Sequence, residues 1–281
     1  LDRMIPVIDR LGDELSEAGW LDAARAIMTT DTVPKGASRT VDIDGERVVL
    51  TGIAKGSGMI RPDMATMLVF VFTDARISAD ILQSLHSTAV GQSFNCITVD
   101  SDTSTSDSVV LSATGKAMNQ RPSRASDPIL KDFRKALLSL YVDLATQVVK
   151  DGEGASKFIT VDVSGASSRT AARVVGLAIG NSPLVKTAMA GEDANWGRIV
   201  MAVGKSGARV DQSLLSVSIG GVMIARAGER IESFVESDVE QHLKGTDIQI
   251  AVDLGLGRGR ARIWTCDLTH EYIRINAEYR S

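Results

Sequence analysis

The stretch richest in potential chemistry is GIAKGSGMIRPDMATMLVFVFTDA, residues 52–75. It places one hydroxyl, Thr66, directly before the apolar run 67–72. It places one ammonium, Lys55, at the head of a glycine-interrupted loop, Lys55-Gly56-Ser57-Gly58. A short apolar run bounded by turn signals, here Pro62-Asp63, predicts a strand buried on both faces. Thr66 then stands at the mouth of a buried strand, behind a loop whose glycines let backbone come close. That is a suitable place for a nucleophilic hydroxyl. Threonine also favours strands and strand starts for packing reasons alone, so spacing by itself leaves both readings open.

Other candidates have ordinary explanations of equal standing. Thr29 and Thr30 lie in Met28-Thr29-Thr30-Asp31-Thr32-Val33-Pro34, where hydroxyls and a proline end a helix and turn capping accounts for them. Glu153 sits in Asp151-Gly152-Glu153-Gly154-Ala155. Gly152 reads as a helix C-cap there, and a solvated loop glutamate is the default for Glu153. The polar run from Asp100 to Asp107 could hold a cation or a substrate, but Asx- and Ser/Thr-turns produce the same composition. It lacks the spacing and terminal glutamate of an EF-hand.

Several chemistries are disfavoured. The three histidines, His86, His242 and His270, are scattered and show no metal-ligand spacing, which argues against a histidine-based hydrolase. The lysine of Lys55-Gly56-Ser57-Gly58 precedes its glycines, so the loop is not a Walker A motif. Gly255-Leu256-Gly257-Arg258-Gly259 lacks the dinucleotide register. Two distant cysteines, Cys96 and Cys266, make neither a disulfide framework nor a zinc site, which fits a reducing, cytoplasmic setting.

The 281 residues suffice for one large or two ordinary domains, and 44% hydrophobic with 23% charged residues is a globular balance. A net charge of -4 argues against nucleic acid as a partner. No apolar run reaches membrane-spanning length, and no signal-peptide pattern opens the chain. The first residue is Leu1 rather than methionine, as in a processed chain or a fragment.

The elements that must position these groups follow from periodicity. Residues 1–28 read as helical, with Ile5, Ile8, Leu11 and Leu15 on one face. Residues 39–44 and 46–53 flank Asp44-Gly45, a hairpin signal that delivers the chain to Lys55. A helix is expected from about Ser78, strands over 95–99 and 109–113, and a surface linker over 118–128. Asp127 as N-cap with Pro128 at the first helical position begins a long helix to about Lys150. Then come a strand over 158–163, helical stretches over 167–179 and from Asn181 through Met189, and a polar corner at 192–198. A hairpin at Gly220-Gly221, a helix over 236–243 and strands over 248–254, 261–265 and 272–275 complete the pattern. Helices and strands alternate with hairpins between them, which predicts a mixed α/β (α+β) layered protein.

Taken together, the segments AKGSGMIRPDMATML, ITVDSDTSTSD, DGEGASKF, NSPLVKTAMAGEDANWGRI and IRINAEYRS resemble the ornithine acetyltransferase (glutamate N-acetyltransferase, ArgJ) family. They run in order over nearly the whole chain. The resemblance implies a layered α-β-β-α architecture of the self-processing, N-terminal-nucleophile type. It implies cleavage between Ala65 and Thr66, so that 1–65 is the end of a pre-cleavage α segment and 66–281 a β segment beginning with the nucleophile. Together these form one catalytic unit in a heterotetramer of two α and two β chains. An N-terminal threonine can use its own α-amine as base, and a cation such as Lys55 would keep that amine less protonated.

The implied reaction is ping-pong transfer of acetyl from N2-acetylornithine to glutamate through acetyl-Thr66, in arginine biosynthesis, with acetyl-CoA as a second donor in some relatives. Thr29, Lys55, Thr66, Glu153, Asn276 and Ser281 match substrate-binding positions; Ser281 stands where the family often has threonine, and a hydroxyl is kept. No metal or cofactor is implied. The family's oxyanion hole uses a Thr-Gly pair upstream of Leu1, which these residues lack. Another chain or segment is then expected to supply it, or the chain is a fragment or an impaired member. An apolar face is expected to stand exposed without that segment. A related self-processing acyltransferase or amidohydrolase with another substrate, or a non-catalytic truncated homologue, are the competing readings.

Overall fold

The computed structural model describes residues 5–8, 11–13, 15–61 and 67–279. Along the chain these form α1 (Ile5–Ile8), α2 (Trp20–Ala26), β1 (Lys35–Ile43), β2 (Glu46–Lys55), β3 (Leu68–Thr73), α3 (Ala79–Val90), β4 (Ser108–Ala113) and α4 (Lys131–Lys150). There follow β5 (Phe158–Ala166), α5 (Arg169–Gly180), α6 (Pro183–Ala190), α7 (Trp196–Gly204), β6 (Ser216–Ile219), β7 (Val222–Arg226), β8 (Glu229–Arg230), α8 (Ser237–Leu243), β9 (Asp247–Asp253), β10 (Gly259–Cys266) and α9 (His270–Glu278). The mixed α/β reading holds.

Two sheets organise these elements. The first has strand order β1-β2-β3-β4 and the second β10-β5-β9-β6-β7-β8. In the first, β1, β2 and β3 run antiparallel in turn, and β4 lies parallel to β3 after the crossover through α3. The β1–β2 turn is the anticipated Asp44-Gly45, with φ of 56° and 83°, the left-handed pair that a two-residue hairpin requires.

Helix α4 packs on β1 and β2, burying Phe133, Leu137, Leu140, Tyr141, Leu144 and Val148 on one stripe. Its start is the expected one: Asp127 accepts the amide of Ile129, and Pro128 opens a 3-10 turn that leads into the helix. Close approach of α4 to the sheet depends on Gly52, where a Cβ would meet Val71 at 2.8 Å and Leu144 at 3.0 Å. Helix α5 covers β5 and β10 of the second sheet.

Four local expectations need correction. The N-terminal stretch is not one helix. Turns separate α1 from α2, and Ile5, Leu11 and Leu15 are exposed, so no core imposes the helical period on them. Strand β3 is buried on one face only: Val69 and Val71 are fully buried, whereas Phe72 on the other face is 39% exposed and meets Trp20 edge-on. Residues 95–99 are not a strand. Phe94–Cys96 is a 3-10 turn, and a single bridge joins Ile97 to Trp264. Residues 272–275 belong to α9, because Thr269 caps that helix and Arg274 pairs with Glu271 and Glu278 along it. Among the described residues, no helix is long and apolar enough to cross a membrane.

Candidate active site

The site lies where β2 ends and β3 begins. Antiparallel register sets Lys55 opposite Leu68, and parallel register sets Leu68 opposite Ser108. Three segments therefore meet at one sheet end: the Lys55 loop, the chain entering β3 and the chain entering β4. Met67 is held there by its neighbours. Its amide donates to Asp107 Oδ1 at 2.5 Å, and its carbonyl accepts from Ser108 at 3.0 Å.

The expected site residues fall into two groups on either side of the 55–58 loop. In the first, Lys55 is only 5% exposed, and its Nζ donates to Thr29 Oγ1 at 3.4 Å. In the second, Asn276 Nδ2 donates to Glu153 Oε2 at 2.9 Å and to the Tyr272 carbonyl at 3.0 Å. The loop joins them. The Glu153 amide donates to the Ser57 carbonyl at 2.9 Å, and Ser57 Oγ donates to the Asp151 carbonyl at 2.5 Å.

Gly58 lies against the Glu153 carboxylate: a Cβ there would stand 2.5 Å from its Cδ. Gly58 thus leaves space for a carboxylate, whereas a Cβ at Gly56 would meet Ile60, and Glu153 is half-buried rather than fully solvated. Thr29, Lys55, Glu153 and Asn276 are accordingly brought to one end of the first sheet. Ala65, Thr66 and Ser281 lie outside the described residues.

Electrostatics add groups that sequence reading missed as site residues. Asp107 has its pKa raised to about 6, chiefly by burial. The Met67 amide, the charge of Lys55 and Ser104 oppose the rise. Asp100 is also pushed up by burial, although the amides of Met59 and Ile60 donate to it; Tyr272 reaches it at 3.4 Å. The polar run from Asp100 to Asp107 therefore uses its end carboxylates to fasten the two ends of the 59–67 stretch. Its alternation of aspartates and hydroxyls was visible in sequence; the partners 40 positions away were not.

The ArgJ family model matches residues 1–281. The chain belongs to the ArgJ family. It is 57% identical over 280 residues to the arginine biosynthesis bifunctional protein ArgJ of Gluconobacter oxydans, covering all of this chain and 66% of that protein. It is 55% identical to the protein of the same name from Ruegeria pomeroyi, covering 67% of it. The chain thus spans about two thirds of the length of these curated relatives. Among solved structures, the argJ protein of Bacillus halodurans matches at 42% identity and a TM-score of 0.71, over 73% of this chain and 96% of that one. The ArgJ family therefore accounts for the two-sheet fold as well as for the segments quoted from the sequence.

Proposed function

We propose that this ArgJ chain is a glutamate N-acetyltransferase that moves acetyl from N2-acetyl-L-ornithine to L-glutamate, with Thr66 as nucleophile after cleavage of the Ala65–Thr66 bond. The observation that carries the reading is the charge arrangement around the 55–58 loop. Among the described residues, buried Lys55 makes one long hydrogen bond, to Thr29, and retains donors for a carboxylate, while Glu153, aligned by Asn276, presents a carboxylate to an ammonium. An amino acid carries both charges. The names of the relatives, arginine biosynthesis bifunctional proteins, agree with acetylated ornithine and glutamate as its substrates.

In this mechanism the Thr66 hydroxyl loses its proton to a base, the free α-amine once cleavage has occurred, and attacks the acetyl carbonyl of acetylornithine. Collapse expels ornithine as the amine, which takes a proton, and leaves acetyl-Thr66. Glutamate then attacks through its amine, giving N-acetylglutamate and restoring the hydroxyl. Thr29, Lys55, Glu153, Asn276 and Ser281 bind the amino acid portion. Segments 1–65 and 66–281 act as one unit, assembled as two α and two β chains in the cytoplasm. One feature agrees with their acting as one unit: the first sheet draws β1 and β2 from before the proposed cut and β3 and β4 from after it.

The test is intact mass and N-terminal sequencing of the full-length protein beside Thr66→Ala, followed by acetyl transfer from acetylornithine to glutamate. The expected result is a fragment beginning at Thr66 in the wild type only, with transfer lost by roughly ten-thousandfold in the variant. Cleavage without transfer to glutamate, but with transfer to another amine or to water, would assign a related acyltransferase or amidohydrolase. An uncut, inactive full-length protein would reject the reading.

A further inference from the structure

The residues that would bind substrate come from four parts of the chain, and a buried ion cluster beneath them joins three of those parts. Lys35, at the start of β1, is fully buried. Its Nζ lies 2.5 Å from Asp31 Oδ1 and 2.5 Å from Asp151 Oδ2. The side chains of these carboxylates are 0% and 5% exposed. Each also accepts from backbone. Asp31 takes the amides of Thr29 at 3.1 Å and Gly56 at 2.7 Å, and Asp151 takes the amide of Thr32 at 3.0 Å and the Thr32 hydroxyl. Asp31 is thereby held below its ordinary pKa: burial works to raise it, and the Gly56 amide, Lys35 and the Thr29 amide outweigh that effect.

We infer that Lys35 is a positioning residue for the substrate site, setting the distance between the Thr29–Lys55 side and the Glu153 side through Asp31 and Asp151. The inference rests on the proposed substrate-binding roles of those residues. The connections are short. Asp31 lies two residues from Thr29 and bonds the residue after Lys55. Asp151 lies two residues from Glu153, and its carbonyl accepts from Ser57. Without the ammonium, two buried carboxylates would face each other uncompensated, and the segments they hold would separate or admit water. Lys35 itself is fully buried between the two carboxylates.

The test compares full-length wild type, Lys35→Met, Lys35→Arg and the core control Leu140→Ala. It reads amide hydrogen exchange by mass spectrometry together with KM and kcat of acetyl transfer. The expected outcome for Lys35→Met is faster exchange at 28–32, 55–58 and 151–154 together, with β5 and β9 still protected. Its KM for the amino acid rises tenfold or more and kcat changes less than threefold. Lys35→Arg recovers part of the KM. Leu140→Ala lowers the melting temperature without moving KM.

A KM for Lys35→Met no different from that of Leu140→Ala, or faster exchange in only one segment, would overturn the inference. Should Lys35→Met fail to fold, Lys35→Met/Asp151→Asn removes one charge of each sign and is read in the same way. If wild type transfers no acetyl group, the functional reading fails, and the exchange of the three segments still decides the positioning role.

Discussion

Asp107 Oδ1 accepts the backbone amide of Met67 at 2.5 Å, so the residue that follows the proposed nucleophile is fixed by a carboxyl that titrates at about 6. Because this value lies above the ordinary 3.8, the folded protein holds the proton more tightly than the unfolded chain. The stability Asp107 contributes is then complete below about pH 4 and is lost as pH rises through about 6. Asp107→Asn keeps an acceptor for the Met67 amide and removes the titration. Urea unfolding of both proteins from pH 4 to pH 7 is expected to show wild type losing stability relative to the variant up to about pH 6, then a constant difference. A difference flat across the whole range would contradict this.

Lys55 supplies a buried charge for the substrate carboxylate under the proposed function. Lys55→Met keeps most of the aliphatic volume and is expected to raise KM for glutamate and acetylornithine by about ten- to a hundredfold, the scale of one charged hydrogen bond. Steady-state kinetics with both substrates checks it; an unchanged KM would place the carboxylate elsewhere.

Gly58 and Gly52 predict opposite kinds of damage from the same substitution. Gly58→Ala displaces the Glu153 carboxylate, which a Cβ would overlap, its Cδ lying 2.5 Å away, and that group is the end of a flexible side chain. Its melting temperature is expected to stay near wild type while substrate binding weakens. Gly52→Ala drives a methyl into Val71 and Leu144, and is expected to cost about 1–3 kcal/mol of stability by overpacking. Thermal melts and KM measured side by side separate the two.

Helix α9 carries Asn276 yet has no buried residue among those described, so its attachment is polar. Thr269 serves twice: its oxygen accepts the Glu271 amide at 3.2 Å, and its hydroxyl donates to the Gly154 carbonyl at 2.7 Å. Thr269→Ala is expected to cost about 1 kcal/mol, the usual value of a lost N-cap, and to weaken substrate binding by loosening Asn276. Faster amide exchange confined to α9 and the 153–155 stretch would accompany it.

What could be read from sequence follows from which interactions are local. Asp44-Gly45 and Asp127-Pro128 encode their turn and helix start within a few residues, and both stand where expected. The sequence 272–275, with its tyrosine and two isoleucines, matches a strand by composition. It is helical because the cap at Thr269 and the Arg274 ion pairs lie outside that window.

At the site, family resemblance indicates Thr29, Lys55, Glu153 and Asn276; spacing alone gives Thr29 and Glu153 ordinary turn and loop roles. Asp31, Lys35 and Asp151 showed no signal at all as a cluster, because Lys35 and Asp151 are 116 positions apart and meet only when α4 lies on β1 and β2. The one-sided burial of β3 was equally hidden, since alternating burial cannot be seen in six consecutive apolar residues.

The six-residue ladder from Leu50 opposite Thr73 to Lys55 opposite Leu68 joins a strand from before the proposed cut to one from after it. Cleavage would leave that ladder, and α4 packed on β1 and β2, physically intact. It would still change the order of the folding reaction. An uncut chain closes β2 onto β3 within one molecule, at a rate independent of concentration. Two separated pieces must find each other, so reassembly becomes second order and the melting temperature rises with protein concentration. The processed protein would then persist chiefly because it unfolds slowly, its durability governed by the height of a barrier rather than the depth of a well.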